Sequence, residues 1–210
     1  TRKATLKFAE IFQSPILQSS DRGGTEAIDG VTQDELRLLL GDSDAGRNLR
    51  LALRLFHFGC PAVYLDQGGY DMHSGEEYEL PSRMVELNQL ITGLVAALKR
   101  MTHPSGGTYW DHTVVALGSE FGRTAGGNRF NSARGSDHNG DNATRWMSMP
   151  FFGGPVSRPG AQLGATRPSD LVATGEVVGY RAVLKSLLDV LGCDHEDVFP
   201  ADPPFAALFG

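Results

Sequence analysis

Two stretches decide how this chain is read: Ala62-Val-Tyr-Leu65, emptying into Asp66-Gln-Gly-Gly-Tyr-Asp-Met-His73, and Thr113-Val-Val-Ala-Leu117, emptying into Gly118-Ser-Glu-Phe-Gly-Arg-Thr124. Each is a short β-prone apolar run followed by a polar, glycine-bearing loop, which predicts a buried strand that delivers a loop at its carboxyl end. Between them, Pro81–Ser82 opens a segment in which Met84, Leu87, Leu90, Ile91, Leu94, Val95 and Leu98 form one apolar stripe that stops before Pro104. That periodicity predicts a long helix. Strand, helix and strand in this order imply an α/β fold with a mostly parallel sheet.

The flanking sequence extends the pattern. Leu36, Leu39 and Leu40 share a face in Gln33–Leu40, and Leu49, Ala52, Leu53 and Phe56 recur at helical spacing between the cap pair Ser43–Asp44 and Gly59. Two helices are expected there. Trp146 to Phe152 reads as a third strand and Val177 to Leu191 as a closing helix. Residues 1–44 form a polar lead-in segment and 45–210 the α/β domain. The chain starts at Thr1 without a methionine, as a processed product or a fragment of a longer polypeptide would.

Composition narrows the function classes. With 210 residues, 40% hydrophobic and 21% charged, the chain can bury a core and is neither disordered nor membrane-spanning by composition. Nineteen basic against 25 acidic residues give a net charge of −6, which excludes a general electrostatic drive toward nucleic acid. Cys60 and Cys193 lie in no metal-binding or redox spacing and read as buried small hydrophobes. Glycine is the outlier, 26 residues, gathered in the loops that follow apolar runs, so those loops are where function is sought.

In an open parallel sheet, ligands bind beyond the carboxyl ends of the strands. Asp71 and His73 are i and i+2, so on an extended segment both side chains project to one side, offering an oxygen and an imidazole nitrogen to one cation. Asp137 and His138, within Arg134-Gly-Ser-Asp-His-Asn-Gly-Asp141, are adjacent and can both ligate where the flanking glycines permit a turn. The other Asp-His neighbours, 111–112 and 194–195, read as solvated surface, and His57 as a satisfied core histidine. Glu120 and Arg123 admit two readings: an ion pair that orders the loop, or a carboxylate that orients a ligand beside a guanidinium that grips an oxyanion. Ser119, Thr124 and Ser136 sit in no nucleophile elbow, and Cys60–Pro61 lacks the spacing of a sulfatase nucleophile.

The ordered set Gly68-Gly-Tyr-Asp-Met-His73, Ser119-Glu-Phe-Gly-Arg-Thr124 and Gly135-Ser-Asp-His138, followed by Phe151-Phe-Gly-Gly154 and Tyr180-Arg-Ala-Val-Leu184, resembles domain-of-unknown-function family 1501. This is a bacterial group of the alkaline phosphatase-like superfamily, often exported by the twin-arginine route. The resemblance implies the carboxyl-terminal portion of a larger three-layer α/β/α sandwich. It further implies a metal-dependent hydrolase of phosphate or sulfate esters in the periplasm or outside the cell. Asp71, His73, Asp137 and His138 would then hold one or two divalent ions, zinc first, with manganese, magnesium or calcium as alternatives, and Glu120 and Arg123 would line the catalytic cleft. A small anionic ester or a sulfated or phosphorylated saccharide would be the substrate. Superfamily enzymes draw a nucleophile and a further Asp from an amino-terminal segment that this sequence does not include. The rival reading is a non-catalytic exported binding or scaffold protein whose polar cleft takes an anionic ligand.

Overall fold

The computed structural model describes residues 9, 11, 13–18, 27–73, 75–123, 146–169, 172–175, 177–205 and 209. The chain forms two compact units, Thr1–Gly68 with Ser82–Asp111, and Gly69–Pro81 with His112–Gly210.

The first unit is helical. After a short helix α1 (Pro15–Gln18), strands β1 (Ala27–Ile28) and β2 (Val31–Thr32) pair antiparallel. Asp29 (φ +50°) and Gly30 (φ +90°) turn between them in the left-handed geometry that suits the twist of a tight hairpin. Helix α2 (Gln33–Leu40) follows at once. Thr32 Oγ1 accepts from Glu35 N at 3.2 Å while Glu35 Oε2 accepts from Thr32 N at 2.9 Å, a reciprocal box that satisfies two amides at the helix start. These bonds hold the Glu35 carboxyl below its ordinary pKa. Helix α3 (Asp44–His57) is capped by Ser43, whose Oγ accepts from Gly46 N at 3.2 Å. Both helices fall where periodicity predicts them, the second also where its Ser43–Asp44 cap does.

Polar bonds join the buried sides of α2 and α3. Arg54 Nε donates to Gln33 Oε1 at 3.2 Å, and Arg50, whose side chain is 1% exposed, donates to the Gly41 carbonyl. The long helix α4 (Glu76–Arg100), which belongs to this unit from Ser82 onward, begins earlier than its apolar stripe, so Pro81 lies inside it rather than at its head. Its carboxyl-terminal half supplies Leu90, Leu94, Ala97 and Leu98 to a core shared with Ile28, Val31, Leu36, Leu40, Ala52, Leu53, Met101 and Tyr109. Gly93 is required at the crossing of α4 over the end of α2, because a Cβ there would stand 2.0 Å from the Leu39 carbonyl oxygen. A 3₁₀ turn, Tyr109–His112, follows, and the unit's last residue, Asp111, lies in it.

Among its described residues the second unit is mostly irregular. Strand β3 (Val115–Ala116) pairs antiparallel with β4 (Phe151–Phe152), in register Val115↔Phe152 and Ala116↔Phe151. Strand β5 (Ala165–Thr166) pairs antiparallel with β6 (Ala173–Thr174), and helix α5 (Tyr180–Val190) follows. The chain beyond α5 is tied back to it through Ser186, whose Oγ donates to Ala182 O at 2.9 Å and accepts from Phe205 N at 2.6 Å.

The expected three-layer sandwich with a mostly parallel sheet is therefore incorrect. Every ladder among the described residues is a two-stranded antiparallel pair. Ala62–Leu65 joins none of them, and Tyr64 is 89% exposed. Of Thr113–Leu117 only Val115–Ala116 is strand, and of Trp146–Phe152 only Phe151–Phe152. The physical reason is that a run of four or five apolar residues carries no periodicity able to separate a buried strand from an irregular extended segment. Pairing is decided by distant partners that such a run does not specify. Cys193 is exposed and Cys60 half-buried, so neither is the buried hydrophobe expected. No helix among the described residues is long and apolar enough to cross a membrane.

Candidate functional site

The chemistry-bearing residues gather within the second unit, where the Gly69–His73 segment meets the loop that follows β3. Tyr70 O accepts from Met72 N at 2.9 Å, so the backbone closes a three-residue turn about Asp71 instead of running extended. Met72 is buried and anchors the turn. Asp71 and His73, flanking it, remain open to solvent, with side chains 66% and 54% exposed. Asp71 Oδ1 lies 3.4 Å from His73 Nε2, so the two side chains predicted to converge do so through a turn.

Arg123 completes the cluster. Its Nη1 donates to Met72 O at 2.7 Å and its Nη2 to Tyr70 O, while Nη2 stands 3.6 Å from Asp71 Oδ1. The guanidinium also lies 5.8 Å from the centre of the Phe121 ring, within cation–π range. Ser119 Oγ donates to Phe121 O at 3.0 Å and closes the loop upon itself. Ser-Glu-Phe-Gly-Arg thus folds as a short scaffold that presents one arginine to the Asp71 turn. Glu120 is exposed on the same scaffold.

Two ligands of a tetrahedral zinc ion, each about 2.0–2.1 Å from it, stand about 3.4 Å apart. The spacing of Asp71 Oδ1 and His73 Nε2 matches one edge of that tetrahedron. Ligation through Nε2 requires the imidazole proton on Nδ1. The residues therefore fit two corners of a site, with Arg123 sharing the carboxylate oxygen. Asp137 and His138, the expected further ligands, lie outside the described residues, as do Thr124 and Ser136. Among the described residues no group of three or more His, Cys, Asp or Glu side chains is arranged to hold a metal ion.

Of the remaining Asp-His neighbours, Asp111, His112 and Asp194 are exposed, as the surface reading expects. Asp111 Oδ2 accepts from Thr108 N and Thr108 Oγ1, both at 2.8 Å, and so caps the 3₁₀ turn. His195 is 14% exposed and pairs with Asp189, so it is more enclosed than a solvated reading allows. His57 Nδ1 is 3.0 Å from Asp29 Oδ1, a satisfied histidine as expected. In the same unit, burial and the nearby Asp29 carboxylate push the Tyr109 phenol up to about 12. Sequence reasoning passed over Tyr70 and Met72, which serve the site through their carbonyls and carry no side-chain signature of that role.

A family model described as "Protein of unknown function (DUF1501)" matches residues 18–202. No curated protein and no solved structure gives a significant match.

Proposed function

We propose, on the premise that this chain belongs to the DUF1501 family of proteins of unknown function, that it is a metal-dependent hydrolase of phosphate or sulfate esters. The observation that carries this reading is the 3.4 Å approach of Asp71 Oδ1 to His73 Nε2 on a turn held by Arg123. A hard carboxylate oxygen and an imidazole nitrogen at that separation suit a divalent ion, zinc before manganese, magnesium or calcium. Such an ion, when bound, supplies Lewis acidity toward an ester oxygen. Asp71 and His73 would hold it together with Asp137 and His138, as one ion or two. Glu120, exposed one loop away, is free of the core and suited to orient water or accept a proton. The substrate class is a small anionic ester or a sulfated or phosphorylated saccharide.

The same reading carries kinship with alkaline phosphatase-like enzymes in chemistry, and twin-arginine export to the periplasm or beyond the cell. Both rest on the three motifs around Asp71, Arg123 and Asp137. The test is elemental analysis of protein purified without chelator, followed by assay of aryl phosphates and aryl sulfates on the complete polypeptide. One or two zinc ions per chain are expected, reduced in Asp71→Ala, with turnover abolished in His138→Ala. Absence of any stoichiometric divalent ion overturns the reading. Bound metal with no turnover on either ester class favours the non-catalytic exported binding protein instead.

A further inference from the structure

We infer that Arg123 is a positioning residue, which sets the Asp71–His73 pair by clasping the backbone between them rather than by gripping a substrate anion. The inference rests on the metal-site reading and goes beyond it by giving Arg123 a role acting through another pair. Nη1 donates to Met72 O at 2.7 Å and Nη2 to Tyr70 O, so one planar fork holds the two carbonyls on either side of Asp71. A guanidinium offers several donors in one rigid plane, which an ammonium cannot reproduce. The carbonyls it captures flank the turn closed by Met72 N to Tyr70 O. Releasing them frees the dihedral angles on both sides of Asp71, which decide whether its carboxylate meets His73.

The supports of Arg123 point the same way. Its side chain is 28% exposed, against 66% for Asp71, and it lies over the Phe121 ring at 5.8 Å. The Ser119 to Phe121 bond of 3.0 Å shapes the loop that carries it. The segment Ser119–Arg123 is therefore the support of the segment Tyr70–His73, which gives one physical reason for two separated motifs to occur together. Groups that hold metal ligands in place contribute strongly to affinity without touching the ion.

The test measures zinc affinity of the full chain by competition with a chromogenic chelator, alongside amide hydrogen exchange at residues 70–73. Arg123→Ala is expected to weaken zinc binding about tenfold to a hundredfold and to speed exchange at Met72. Arg123→Lys, which keeps the charge and is the milder change, is expected not to restore either property. In an Asp71→Ala, His73→Ala background the effect of Arg123→Ala on zinc should vanish while its effect on exchange persists. Wild-type affinity and wild-type exchange in Arg123→Ala overturn the positioning role alone, as does full recovery by Arg123→Lys. Failure of the wild-type chain to bind zinc overturns the metal-site reading, and the two results are distinct.

Discussion

The two units bury apolar side chains to very different degrees. Among the described residues, the buried apolar side chains belong to the first unit except Met72 and Val183. The second unit leaves Leu184 and Leu191 of the α5 region 42% and 41% exposed. Yet the candidate site belongs to the second unit, on turns held by an arginine and carbonyl oxygens. Regular packing and chemistry are thus divided between two parts of one chain. The helical unit derives its order from area removed from water, and the site from a few directed polar bonds.

That contrast predicts where substitutions act on stability. Leu98, fully buried on α4, should cost about 2–5 kcal/mol when changed to Ala, since both transfer energy and a cavity are involved. Leu184→Ala, at a site 42% exposed, should stay within about 0.5 kcal/mol. Urea unfolding of the two variants measures the difference. Comparable losses would mean that the second unit has a core as firm as the first.

A smaller effect is expected at the start of α2. Thr32→Ala removes the cap and should cost about 1 kcal/mol at neutral pH. The same substitution changes the acid response. Glu35 is held below its ordinary pKa chiefly by the backbone and hydroxyl of Thr32, so its contribution is present above the unfolded carboxyl pKa. That contribution is lost as pH falls through the folded value. Thermal midpoints at pH 7 and pH 3 should therefore converge between wild type and Thr32→Ala as the solution is acidified. An unchanged gap at both pH values would detach the cap from the Glu35 carboxyl.

These local signals explain which parts of the fold were legible in the sequence. Helix α2 is announced by Leu36, Leu39 and Leu40 on one face, while the Thr32–Glu35 capping box that starts it emerges from the structure. Helix α3 is announced by its apolar spacing and by Ser43. The sheet was misread because Ala62–Leu65 and Thr113–Leu117 differ from parallel strands only in what lies beside them. At the site, Asp71 and His73 were legible through i, i+2 spacing, although a turn and not an extended segment brings them together. The role of Arg123 was only half legible. Its partners are the carbonyls of Tyr70 and Met72, and every residue type has a carbonyl.

The smallest expected effect is the most informative about this division. Asp71 and His73 are more than half exposed, and their contact with each other and with Arg123 is of the solvent-screened kind that contributes little. Asp71→Ala and His73→Ala should each change the unfolding free energy by less than about 0.5 kcal/mol when measured in excess chelator. With zinc at a hundredfold excess over its dissociation constant, the wild type should gain about 2.7 kcal/mol, because the ion binds the folded chain. The two variants should gain far less. A large loss in chelator would make the pair a structural latch of the second unit, whereas a gap that opens only with zinc assigns it to the ion.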